Sequence, residues 1–137
     1  MNIQTTAQNR LNDEWVVLQK AYDKYEALSL GIKIFSIALA AYQFSANATL
    51  TLSIVLLAVC WLQDAIWKTF QARIDARLIW LEVAIKGGEV AGGFEFNLQW
   101  SKNRPSTVGL IKQYIKSALK PTVMFPYIVL ILAFIFV

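Results

Sequence analysis

Two apolar runs, residues 28–44 and 50–67, are separated by only five residues (SANAT) that carry no charge. Two such runs in succession, each the length of a bilayer-crossing helix of ~17–25 residues, constrain this chain more than anything else in it. A third run, residues 123–137, is shorter and reaches the end of the sequence. It spans a bilayer if residues 119–122 contribute or the bilayer thins locally. A soluble helical bundle is the alternative, but it needs polar covering that the chain lacks. Charged residues are 16 % and apolar residues 57 % of the sequence, against ~25 % and ~45–50 % in ordinary soluble domains.

The cations set an orientation. Arg10, Lys20 and Lys24 precede the first run, and Lys33 lies near its start. Lys68, Arg73, Arg77, Lys86, Lys102, Arg104, Lys112, Lys116 and Lys120 fall between the second and third runs. The positive-inside rule then puts the N-terminus in the cytoplasm and the C-terminus in the periplasm of a bacterial inner membrane. The first 27 residues are polar and have no apolar core of a cleavable signal. Asn47-Ala-Thr49 is formally a glycosylation sequon, but it sits in a tight turn beside the membrane and is not read as one.

Residues 1–9 read as unstructured, with Asn9 or Asn12 capping a helix start. Leu11, Trp15, Leu18, Tyr22 and Tyr25 then recur at spacings of four and three, a coiled-coil-like seam. Beyond Trp67 no Gly or Pro occurs until Gly87, so the second helix continues past the bilayer with Trp67, Phe70, Ile74, Leu78, Leu81 and Ile85 on one face. The expected fold is all-α: a long antiparallel helical hairpin of residues 10–44 and 50–86, each arm ~50–55 Å long, half in lipid and half in cytoplasm. Gly31 marks either a hinge or a site of close helix contact. Gly87-Gly88 ends the second helix. Residues 87–104 read as a loop in which Phe94, Phe96 and Trp100 are aromatic anchors. Pro105 opens an interfacial amphipathic helix over 105–120, with Val108, Ile111 and Ile115 on one face and Lys112, Lys116 and Lys120 on the other. A third span covers 121–137, with Pro126 as a kink point.

Little in the chain suggests catalysis. It has no His, the commonest general base and metal ligand, and one Cys, Cys60, read as a small buried hydrophobe. No nucleophile–base pair is evident, and GGEVAGG lacks the phosphate-loop pattern. The reading is therefore not an enzyme, with no cofactor and no metal. Lys33 and Asp64 are the only charges inside the first two runs. Counted from the turn, their axial offset is ~4–5 Å, which makes them a candidate ion pair or polar gate. Ser36, Gln43, Ser53 and Gln63 are candidate pore-lining residues. Lys102, Arg104, Lys112, Lys116 and Lys120 are candidate contacts for anionic lipid or phosphate. Arg73 and Arg77, one helical turn apart, pair with Asp75, Glu82 or Asp13/Glu14, stay solvated, or clamp a phosphate.

A charged first helix, a tight two-span turn and a second span continuing as FQARIDARLIWLEVAI resemble, over residues 11–86, the SLATT domains of bacterial conflict systems. That resemblance implies pore formation on activation by a nucleotide signal. ARLIWLE, FEFNLQW and the last span are similar, from Gln71 onward, to RipA-type bacterial inner-membrane proteins. This second likeness implies an oligomer.

The expected function is an oligomeric pore-forming or membrane-perturbing effector of a defence or stress system. The alternative is a non-conducting membrane scaffold that recruits a cytoplasmic protein. Trp15, Leu18, Tyr22, Ile74, Leu78, Trp80 and Leu81 are the candidate oligomer or partner interface, since one hairpin cannot cover both apolar faces. Membrane lipids and further copies of the chain are the expected partners; direct nucleic-acid binding is not expected.

Overall fold

A computed structural model describes residues 3–88 and 92–137. It is all-helical: α1 (Ile3–Ser45), α2 (Leu50–Gly87), α3 (Phe96–Lys102), α4 (Thr107–Ala118) and α5 (Pro121–Phe136), with no strand among the described residues. α1 and α2 run uninterrupted because neither contains Pro. Gly31, the one glycine inside α1, leaves the helix continuous, and nothing lies within 4 Å of a Cβ placed on it. It makes no close helix contact within the chain. At 43 and 38 residues, the two helices are ~65 and ~57 Å long. Both are long and apolar enough to cross a bilayer.

α1 starts at Ile3, so the expectation of an unstructured 1–9 is corrected from residue 3 onward. Docking supplies the stability that local sequence lacks. Ala7 is buried, and the Gln8 amide donates to the Ile85 carbonyl at 3.1 Å near the end of α2. At the other end α1 stops in a tight turn. Asn47 adopts φ 51°, and the Ala46 and Ala48 amides donate back to the Tyr42 and Gln43 carbonyls. Asn tolerates that left-handed backbone better than most residues. α2 ends where Gly88, at φ 69°, turns the chain left-handed and its amide returns to the Ala84 and Ile85 carbonyls.

The two helices run antiparallel in one register: Gln8 meets Ile85, Glu14 meets Arg77, Glu26 meets Lys68, and Ser29 meets Asp64. Their buried positions advance by threes and fours. On α2 they include Ser53, Leu57, Cys60, Asp64, Gln71, Ile74, Leu78, Leu81 and Ala84. On α1 they include Ala7, Leu11, Glu14, Leu18, Ser29, Ser36, Ala40 and Gln43.

The character of this seam changes along its length. In the half far from the turn, Leu11, Leu18, Ile74, Leu78, Leu81 and Ala84 form an apolar core, with Trp15, Tyr22, Tyr25, Trp80 and Phe96 packed around it. Burial of each such Leu or Ile contributes ~1.5–3 kcal/mol. In the half near the turn the seam is small or polar apart from Leu57 (Ser29, Ser36, Ala40, Gln43, Ser53, Cys60, Asp64), and most large apolar residues face outward: Leu30, Ile34, Phe35, Ile37, Leu52, Val55, Val59 and Leu62 are exposed. One half therefore has the apolar interior of a chain folded in water, and the other has the arrangement suited to lipid. The core also revises the expected interface. Leu18, Ile74, Leu78 and Leu81 are spent inside the chain, and Trp15, Tyr22 and Trp80 are half-buried against them.

The segment expected to be a loop contains α3. Phe96 packs on the apolar core and Trp100 stacks on Arg73, and these two contacts hold the turn of helix in place. Residues 89–91 of the Gly-rich stretch lie outside the described residues. α4 is capped by Ser106, whose hydroxyl accepts from the Gly109 amide at 3.2 Å. Between α4 and α5 the axis bends by 72°, at Lys120-Pro121. α5 then lies beside the turn-side half, with Val123 and Tyr127 fully buried. Its direction follows α1: Tyr127 stacks on Trp61, and further along Phe134 stacks on Phe44 near the turn, centroid to centroid at 4.0 Å. At 16 residues α5 is ~24 Å long, shorter than the ~30 Å hydrocarbon core.

Candidate functional site

The densest polar cluster in the turn-side half forms where three helices meet. Asp64 of α2 has no exposed surface. Its Oδ1 accepts from the Ser29 hydroxyl at 2.5 Å, and its Oδ2 lies 3.2 Å from Lys33 Nζ and 3.3 Å from the Tyr127 hydroxyl of α5. Lys33 Nζ also donates to Ser29 Oγ at 2.9 Å. Helical spacing explains the convergence, since Ser29 and Lys33 are one turn apart on α1 and face the same strip of α2. Lys33 keeps 19 % of its side chain exposed, so its head pairs inward while its stem runs along apolar surface. Next to the cluster, the Trp61 ring stacks on Tyr127 and its indole N–H donates to the Ala118 carbonyl at 3.0 Å. That bond fixes the end of α4 to α2. Tyr127 was hidden from sequence reasoning inside an apolar run; a phenol in such a run is the signal that could have found it, because a buried hydroxyl needs a partner.

Of the remaining candidates of the same half, Ser36 borders the cluster at Tyr127 and the others add no hydrogen bond to it. Ser36 and Ser53 are buried in the α1–α2 seam, and each hydroxyl donates to its own helix, to the Ile32 and Thr49 carbonyls at 2.7 and 3.2 Å. Gln43 is also buried, and its amide has no partner among the described residues. Gln63 is half-buried beside Asp64 in sequence. Ser36, Gln43 and Ser53 therefore face the seam of a single chain.

Two further clusters lie in the far half. The boundary one joins Glu26 Oε2 to Lys68 Nζ at 2.7 Å and to the Gln71 amide at 2.7 Å. The Lys68 ammonium, then the Gln71 amide, hold the Glu26 carboxyl below its usual range. The other centres on Glu14, 4 % exposed. Arg77 donates to it through Nε at 2.8 Å and Nη2 at 3.1 Å, and Nη2 also donates to the Gly92 carbonyl at 2.6 Å. The Phe94 amide donates to the same carboxylate. Phe94 itself holds φ 63°, a costly backbone for an aromatic residue. Glu14 thus ties α1, α2 and the segment after α2 together. The sequence offered Glu14 only as one of several partners for Arg77.

Arg73 has a different environment. Its guanidinium stacks on Trp100 at 3.8 Å and lies 4.8 Å from the Phe70 centroid. Its Nε and Nη2 are buried without a hydrogen-bond partner among the described residues. Burial pushes its pKa down, opposed by the Tyr114 oxygen and reinforced by Arg104. Of the basic set, Lys116 and Lys120 line a cleft with Arg73. Lys102, Arg104 and Lys112 are exposed and do not line it.

No family model, no curated protein and no solved structure matches the chain.

Proposed function

We propose that the chain is a multi-pass protein of a bacterial inner membrane, with a cytoplasmic N-terminus and a periplasmic C-terminus. Residues 28–44 and 50–67 form a hairpin of spans, and α5 crosses as a third. Copies assemble into an oligomeric pore-forming or membrane-perturbing effector whose polar seam is held shut by the Lys33–Asp64 pair. The observation that carries the reading is that pair with Ser29 and Tyr127: a buried ionic group in an otherwise apolar-surfaced half belongs, by its cost, to a functional device. Separating α1 from α2 there would expose Ser36, Gln43 and Ser53 to a common lumen.

The test is current across planar bilayers holding purified protein, with membrane potential followed in expressing cells. Asp64→Asn removes the charge while keeping the shape, and is expected to change the current at least tenfold. Unchanged current ends the gate; full viability with intact potential on overexpression ends the effector reading.

A second reading, a non-conducting scaffold, is favoured by the exposed Val16, Val17, Ile79 and Val83 on the far half. Apolar surface of this kind marks docking faces. A soluble partner retained by the wild-type chain and released by Val83→Glu would support it; retention unaffected by Val83→Glu would not.

A further inference from the structure

The cleft between α2 and α4 carries the clearest unassigned chemistry. Thr69, Ala72, Arg73, Ala76, Gln113, Lys116, Ser117 and Lys120 line a space of about 300 Å³. Three of those side chains are cationic and none is acidic. Lys116 stands in the last turn of α4 and Lys120 at the extended cap of α5, so the bend between the two helices brings both to the cleft. The Ser117 hydroxyl is already engaged with Thr69 Oγ1 at 2.8 Å, which fixes the cleft floor. Arg73 reaches the cleft with its guanidinium stacked on Trp100; Nε and Nη2 are buried without a hydrogen-bond partner among the described residues, and the acceptor beside the group is the neutral Tyr114 oxygen. Three cationic side chains that line one cleft with no carboxylate among them lack the anion that such groups ordinarily hold.

The position of the cleft limits the source of that anion. Arg73 lies six residues beyond Trp67, ~9 Å along the helix. α4 exposes Val108, Ile111, Ile115 and Leu119 beside its lysines, an apolar stripe with a cationic edge that suits the headgroup layer. From this juxtaposition we infer that Arg73, Lys116 and Lys120 form a binding site for the phosphodiester of an anionic glycerophospholipid. The guanidinium and two ammonium groups take the phosphate oxygens, and the acyl chains lie along the exposed stripe of α4. The inference rests on the membrane reading above.

The full chain, purified in neutral detergent, is offered phosphatidylglycerol and phosphatidylcholine, and retained lipid is counted by native mass spectrometry. At least a tenfold preference for phosphatidylglycerol is expected in the wild type. Arg73→Gln, and Lys116→Gln with Lys120→Gln, should abolish it, whereas Lys102→Gln, outside the cleft, should keep it. Arg73→Lys keeps the charge and should retain part of the preference, which separates loss of the site from loss of the fold. No preference, or one untouched by Arg73→Gln, overturns the site. Inorganic phosphate that raises the melting temperature only when Arg73 is present, without any lipid preference, overturns the lipid assignment in favour of a soluble phosphate. Release of the chain from membranes by alkaline carbonate would instead sink the membrane reading itself.

Discussion

Asp64 and Lys33 stand on different helices and meet at 3.2 Å, with the carboxylate wholly buried and the ammonium partly open. Asp64 is 14 residues into α2, ~21 Å from the turn. A charge at that depth is tolerated because Ser29, Lys33 and Tyr127 all point hydrogen-bond donors at it.

Removing either partner alone leaves the other uncompensated. Lys33→Met and Asp64→Leu should each destabilise the chain by ~3–5 kcal/mol, and the double variant should recover much of that loss. Unfolding in mixed micelles, followed by tryptophan fluorescence, measures the cycle. Additive losses would mean that the pair is not coupled.

The Glu14–Arg77 pair should behave as a clasp on the far half. Glu14→Gln strips charge from an acceptor of three donors, and a loss of ~3 kcal/mol is expected from breaking a buried pair. The loss should be local: amide exchange should speed up around Phe94 and the start of α1 and stay unchanged near the turn. Uniform acceleration would refute the separation of the two halves.

Gly92 sits where only glycine fits. A Cβ there would stand 2.7 Å from Trp80 Cη2, at φ +96°. Gly92→Ala should cost ~1–3 kcal/mol through strain and a displaced Trp80 ring. It should also loosen the Arg77 contact with the Gly92 carbonyl, visible as a red shift and broadening of tryptophan emission. A variant as stable as the parent would contradict the geometry.

Glu26 gives a pH dependence of known sign. Its carboxyl is held below the ordinary value of 4.5 by Lys68 and Gln71, so its contribution is full above that value. The contribution is lost as pH falls through the lower folded-state value. Melting temperature should fall below pH 4.5 more steeply in the parent than in Glu26→Gln. Parallel curves would show that the boundary cluster adds nothing.

The long helices were legible because their cause is local and repetitive: no Pro, apolar residues at threes and fours, and a charge-free turn with glycines at the far end. Leu11, Leu18, Ile74, Leu78 and Leu81 announced themselves by that spacing, and Lys33 and Asp64 by being ionic where little else is. What escaped was what depends on partners distant in sequence. Ile3–Gln8 looks polar and unpatterned, and is helical because Ile85 and its neighbours receive it. α3 was obscured by flanking glycines, and its reason for folding, the stack of Trp100 on Arg73, needs α2 in place. Glu14 was one of several acids offered to Arg73 and Arg77, and Gln71 drew no reading, yet both are buried in the seam. Leu18, Ile74, Leu78 and Leu81 were also assigned to an interface between chains, because a sequence shows that a stripe must be covered and not which surface covers it.

Glu14 also fixes an order of events. Its partners Arg77 and Phe94 follow it by 63 and 80 residues. A nascent chain that has emerged as far as Asp64 already holds both sides of the ion pair near the turn, while the carboxylate at position 14 still has only water. In a chain made from its first residue onward, the Lys33–Asp64 pair is therefore available before the Glu14 contacts, and Tyr127 and Phe134 of α5 reach Asp64 and Phe44 only after both.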